Sequence, residues 1–137
     1  MVLETTAGGV AFLLGRILVG GVLAFMGLNH FQQTDSLAGY AESKGVPAPR
    51  LSVLASGLVL VLGGASIVLG ALPIVGAALL VVFHVVVTPK MHDFWNADDP
   101  EAKQNEMTQF LKNAVITGAA LLILAIGGAN WPYSLSV

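Results

Sequence analysis

"LSVLASGLVLVLGGASIVLGALPIVGAALLVVFHVVV", residues 51–87, contains no Asp, Glu, Lys or Arg. A single helix over this stretch would far exceed the roughly 20 apolar residues that cross a hydrocarbon core. The break lies in "GALP", Gly70 to Pro73. Gly70 suits the left-handed position that ends a helix, and Pro73 suits the first turn of the next one. The stretch therefore predicts a tight helical hairpin with spans at Leu51–Leu69 and Leu72–Val87. Outward from it, the chain offers two further apolar runs of the same kind, Val10–Leu28 and Phe110–Ala129.

The whole composition agrees. Of 137 residues, 55% are hydrophobic and 10% are charged, against about 25% charged in soluble domains. So little charge cannot cover a water-facing surface, and the solvent implied is lipid. The expectation is one all-α domain over residues 1–137, an integral membrane four-helix bundle that crosses the cell membrane several times. A net charge of −2 gives no basic stripe for nucleic acid. With no cysteine, disulfides, thiolate metal sites and cysteine redox relays are excluded. The leader "MVLETTAGG" has Glu4 where a cleaved signal would be basic, so the first span is expected to stay as an anchor.

Small residues recur four apart at Ala11/Gly15, Gly20/Ala24, Ser52/Ser56, Ser66/Gly70 and Ala114/Gly118. Between helices in lipid, such pairs allow close backbone packing. The loops carry local signals too. "TDSLAGYAESKG" reads as a short amphipathic helix with Asp35 as its N-cap and Gly45 as its stop. Asp99 before Pro100 reads as the N-cap of a helix that runs into the fourth span. Lys44, Arg50, Lys90, Lys103 and Lys112 flank the loop end of the bundle, and Arg16 alone lies near the other end. The positive-inside rule then puts the loops in the cytoplasm and both termini outside. Arg16 is expected to snorkel back to the terminal face as an interfacial anchor, with an anionic ligand as the alternative.

The polar residues gather by topology. His30 closes span one, His84 lies in the last turns of span three, and His92, Asp93 and Trp95 follow in "KMHDFWNA". All five are expected at the loop end. Asp93 could fix the imidazole of His92 while Trp95 walls a pocket for a flat head group such as a quinone. Alternatively Trp95 anchors the interface and the His–Asp pair caps the end of span three. His84 at membrane depth needs a partner, either Asn29, Asn113 or a backbone carbonyl, or else a role in a quinone pocket. Haem ligation by two histidines stays open, although no spacing supports it. No metal site is expected. The acidic "DDPEAKQNE" reads as a solvated helix start.

The segments "GRIL" at 15–18, "GLNHF" at 27–31, "GVPAP" at 45–49, "GG" at 63–64, "HDFW" at 92–95 and "FLKN" at 110–113 carry a resemblance. In kind and order they resemble the DoxX family of small four-span membrane proteins. The resemblance implies a membrane subunit or accessory of a redox complex, quinone-linked in the sulfur-oxidising relatives, with a soluble or membrane oxidoreductase as partner. A non-catalytic scaffold is the other reading. Many relatives carry a glutamate before the paired glycines where this chain has Leu60, which weakens a proton-coupled role by analogy. The family also commonly places its termini in the cytoplasm, against the charge count. The residues do not decide whether the chain is an enzyme.

Overall fold

A computed structural model describes residues 2–137. Its helices are α1 (Thr6–Gln32), α2 (Thr34–Ser43), α3 (Pro49–Leu69), α4 (Pro73–Met91) and α5 (Pro100–Ala125), with short 3-10 turns at Val2–Glu4 and Phe94–Asn96. The described residues form no strand. Helices α1, α3, α4 and α5 are each long and apolar enough to cross a bilayer. They alternate in direction, so α2 and the α4–α5 connection share one end, the loop end, while both termini and the hairpin turn share the other.

The helix ends follow from local chemistry. Thr5 accepts a 3.0 Å hydrogen bond from the Gly8 N–H and so caps α1. Asp99 does the same for α5, accepting from the Ala102 N–H at 3.2 Å, with Pro100 in the first turn. At the hairpin, Gly70 takes φ +64° after α3 and Pro73 opens α4. Here the expected boundaries hold. Three others shift. Helix α2 begins at Thr34, not after Asp35, because the Thr34 hydroxyl donates to the His30 and Phe31 carbonyls that end α1. Asp35 pairs with Arg50 instead. Helix α4 continues through Pro89 to Met91, since a proline this near the C-terminus interrupts only one helical bond. Helix α5 stops at Ala125, short of the expected Ala129, where the chain turns at Ile126–Gly128.

Packing runs α1 on α3, α3 on α4 and α4 on α5, with α2 laid over the loop end of α3. The tightest seam is α1 on α3. A Cβ on Gly20 would lie 2.5 Å from the Gly64 carbonyl oxygen, and one on Gly27 would lie 2.7 Å from the Gly57 carbonyl oxygen. Backbones this close replace the missing hydrophobic drive with van der Waals contact. Of the predicted small-residue pairs, Gly20/Ala24 lies in this seam, whereas Gly15 and Gly118 have nothing near them. The core joins Leu23, Leu60, Ile67, Ala77, Leu80, Ala120, Ile123 and Trp131. Leu60 is one of its most buried members.

Arg16 corrects an expectation. It does not snorkel: it is 1% exposed. Its guanidinium donates to the carbonyls of Ile67 (3.1 Å), Val68 (2.7 Å), Pro132 (2.7 Å) and Tyr133 (3.1 Å). It also lies against the rings of Phe12 and Trp131. The carbonyls at a helix C-terminus carry partial negative charge and lack intrahelical donors. A planar cation with five N–H groups satisfies several at once. Arg16 thereby binds α1, the end of α3 and the C-terminal tail together. Hydrogen bonds from Leu72 N–H to the Val137 carbonyl and from Leu135 N–H to the Leu69 carbonyl complete the seal.

Candidate functional site

The residues singled out by sequence share the loop end, but the structure sorts them into three neighbouring places. Helix α4 divides them, because different faces of it line the spaces on its two sides.

On one side of α4 lies a cavity of about 450 Å³ between α1, α3 and α4, roofed by α2. Its wall is mainly apolar, with Leu37 and Ala41 from α2, Val53 from α3 and Phe83 and Val86 from α4. His30, Ser52, Ser56 and Lys90 supply the polar groups. The position of α2 follows from its sequence: Leu37 and Ala41 are four apart, on the face turned to the bundle. The His30 Nδ1–H donates to the Met26 carbonyl at 2.8 Å, which leaves Nε2 as the ring's acceptor in the neutral form.

On the other side of α4 a groove of about 300 Å³ runs along α5. His84 and Thr88, one turn apart, line it with Phe110 and Thr117. His84 is 2% exposed and its Nδ1–H donates to the Leu80 carbonyl at 2.8 Å. A backbone carbonyl is thus the partner, one of the alternatives the sequence left open. Its ring also meets Phe83 edge to face.

At the rim, His92 and Asp93 do not pair with each other. The His92 Nδ1–H donates to Glu106 Oε2 of α5 at 2.9 Å. Asp93 accepts from Lys44 Nζ at 2.6 Å and from Asn96 Nδ2 at 3.1 Å. Lys44 also lies 3.8 Å from Glu106, and the Tyr40 hydroxyl donates to Glu106 as well. Burial, and then the hydrogen bond and charge of Glu106, push the Tyr40 phenol well above its ordinary value. It therefore stays a neutral donor at any physiological pH. The network ties α2, the α4–α5 connection and α5 into one charged clasp. Trp95 stands apart from it, largely exposed, packed edge to face on Phe94 and Phe110. An exposed indole at this level matches an interfacial aromatic.

Sequence reasoning missed Tyr40, Lys44, Glu106 and Thr88. In sequence, Glu106 looks like one more residue of the solvated helix start "DDPEAKQNE". Its register gives it away, because 106, 110, 114, 117 and 121 share the α5 face turned toward α4. Tyr40 and Lys44 are likewise four apart on α2. Among the described residues, no three His, Asp or Glu side chains converge closely enough to hold a metal ion. His30 and His84 line cavities on different sides of α4, so they do not face one another across a common space.

Fold and site together define a multi-pass helical membrane protein with its polar groups collected at one end. The DoxX family model matches residues 11–93, more than half the chain and the part that contains both walls of the α2 cavity. The protein belongs to the DoxX family. No curated protein and no solved structure matches it.

Proposed function

We propose that the protein is a membrane subunit of a redox complex in the cell membrane, and that the cavity beneath α2 receives the ring of a quinone. The observation that carries this reading is the cavity itself: about 450 Å³, apolar in its walls, with a few polar groups at one edge. Small-molecule sites commonly have that make-up. A quinone brings two carbonyl acceptors and no donor. Lys90 offers an ammonium, and the Ser56 hydroxyl is a further donor; the Ser52 hydroxyl is already engaged with the Pro47 carbonyl. The cavity lies at the end of the spans, where a head group entering from the membrane would stop.

The clasp supports a role for α2 as the roof of this cavity, tied to α5 and the α4–α5 connection. A soluble oxidoreductase subunit would meet the loop end, which carries all of the chain's charged residues except Glu4 and Arg16. We infer that this end faces the cytoplasm, since Lys44, Arg50, Lys90, Lys103 and Lys112 gather there. Arg16 is enclosed in the bundle and does not oppose that count.

A second reading, a scaffold without redox chemistry, is favoured by one observation. Lys44, Asp93, His92, Glu106 and Tyr40 find partners in one another, which is how a purely structural clasp would look. Titration of the protein in lipid nanodiscs with a short-chain quinone separates the two. The proposal predicts saturable binding that weakens when Ala41→Phe fills the cavity and when Lys90→Met removes its cation. Folded protein without saturable binding sinks the proposal and leaves the scaffold.

A further inference from the structure

We propose that the groove between α4 and α5 is a binding site for a lipid-soluble phenol, held through its hydroxyl by His84 and Thr88. The site differs from the cavity beneath α2 and does not rest on that reading.

Thr88 is 5% exposed, and its hydroxyl oxygen is the one buried side-chain nitrogen or oxygen among the described residues without a hydrogen-bond partner. Leaving such a group unpaired is costly, and its presence calls for a partner. The next residue deepens the deficit. Pro89 lies inside α4 and has no N–H to give to the Val85 carbonyl one turn back. Val85, Thr88 and Pro89 all line the groove. His84 joins them, its Nδ1–H already given to the Leu80 carbonyl. A carbonyl oxygen only accepts, so this bond fixes the tautomer, and the neutral ring is left with a lone pair on Nε2. One turn of α4 thus presents an imidazole acceptor and a hydroxyl able to donate and accept.

The inventory selects the ligand. An acceptor-only molecule, a quinone among them, satisfies Thr88 and leaves Nε2 without a donor. An alkyl chain satisfies neither. A hydroxyl group donates to Nε2 and accepts from Thr88 in the same step. The rest of the groove favours an aromatic carrier. Phe110 lines it and belongs to a cluster of rings with Phe94 and Trp95, and aromatic pairs contribute beyond the area they bury. Val85 and Leu121 at its margins are exposed, so entry is sideways from the lipid.

The test uses the full chain in detergent with ¹⁵N-labelled histidine and two probes, 4-propylphenol and its methyl ether, 4-propylanisole. The phenol is expected to shift the His84 Nε2 resonance saturably, and the ether to bind about tenfold more weakly for want of the donor. Thr88→Val, which replaces an unpartnered hydroxyl by a methyl of like shape, is expected to keep or raise the melting temperature and to weaken phenol binding about tenfold. Thr88→Ser restores binding, and Val115→Ala, on the exposed face of α5, binds as the wild type. Equal affinity for phenol and ether, undiminished binding in Thr88→Val, or a resonance unmoved at saturating phenol would each overturn the proposal.

Discussion

Replacing Arg16 with Met keeps most of the apolar stem and removes the guanidinium. Four carbonyls lose their donor: Ile67 and Val68 at the end of α3, and Pro132 and Tyr133 in the tail. The substitution also removes the charge, so its burial cost disappears with it. The tail carbonyls can rotate toward water. Those of Ile67 and Val68 are fixed by the helix, in a place from which Arg16 now excludes solvent. At about 1–3 kcal/mol for each of these two buried unpaired acceptors, the expected loss is roughly 2–6 kcal/mol. The melting temperature should fall on the order of 10 °C for a chain of this size. When unfolding is followed by tryptophan fluorescence in detergent on a Trp95→Phe background, the only indole reporting is Trp131, whose ring packs on Arg16. Its emission should move to the red as the tail detaches. Arg16→Lys, with a point charge in place of the planar fork, should recover part of the loss. An unchanged melting temperature together with unmoved emission in Arg16→Met would refute the reasoning and return Arg16 to the status of a surface anchor.

The α1–α3 seam gives a second test: Gly64→Val should cost about 1–3 kcal/mol in thermal unfolding, whereas Gly118→Ala, with open space around it, should be neutral. Removing the hub of the clasp in Glu106→Ala should cost about 1–2 kcal/mol and speed amide exchange across residues 34–43, with α1 and α3 unaffected. Because the chain has no cysteine, single-cysteine variants report orientation cleanly: a membrane-impermeant maleimide on intact cells should label Val137→Cys and spare Ser36→Cys, and the reverse pattern would place the loop end outside.

Much of the fold was legible because lipid imposes a coarse rule. Runs of apolar residues had to be helices, and Gly70, Pro73, Asp99 and Pro100 marked their ends by local chemistry alone. Arg16 was misread for a physical reason. A basic residue near a membrane end usually reaches for water, and only the end of α3 and the folded C-terminal tail, both distant in sequence, supply the carbonyls that make burial preferable. The candidate site was legible in part. Alternating spans brought the histidines to one end, but which side of α4 each faces depends on helix rotation. His92 and Asp93, neighbours in sequence, lie in the turn after α4 and take different partners, Glu106 and Lys44. Glu106 was hidden by its exposed acidic companions, and Thr88 by its ordinariness, since an unpaired hydroxyl shows only when its surroundings are known.

Photolabelling with an azido-substituted quinone, followed by mass spectrometry of the labelled peptides, tests the central claim most directly. The account predicts labels confined to the segments that enclose the cavity beneath α2, around His30, Ala41, Ser56 and Lys90, and suppressed by excess unmodified quinone. Labels scattered over the lipid-facing surfaces of α1 and α5, and indifferent to competition, would contradict it.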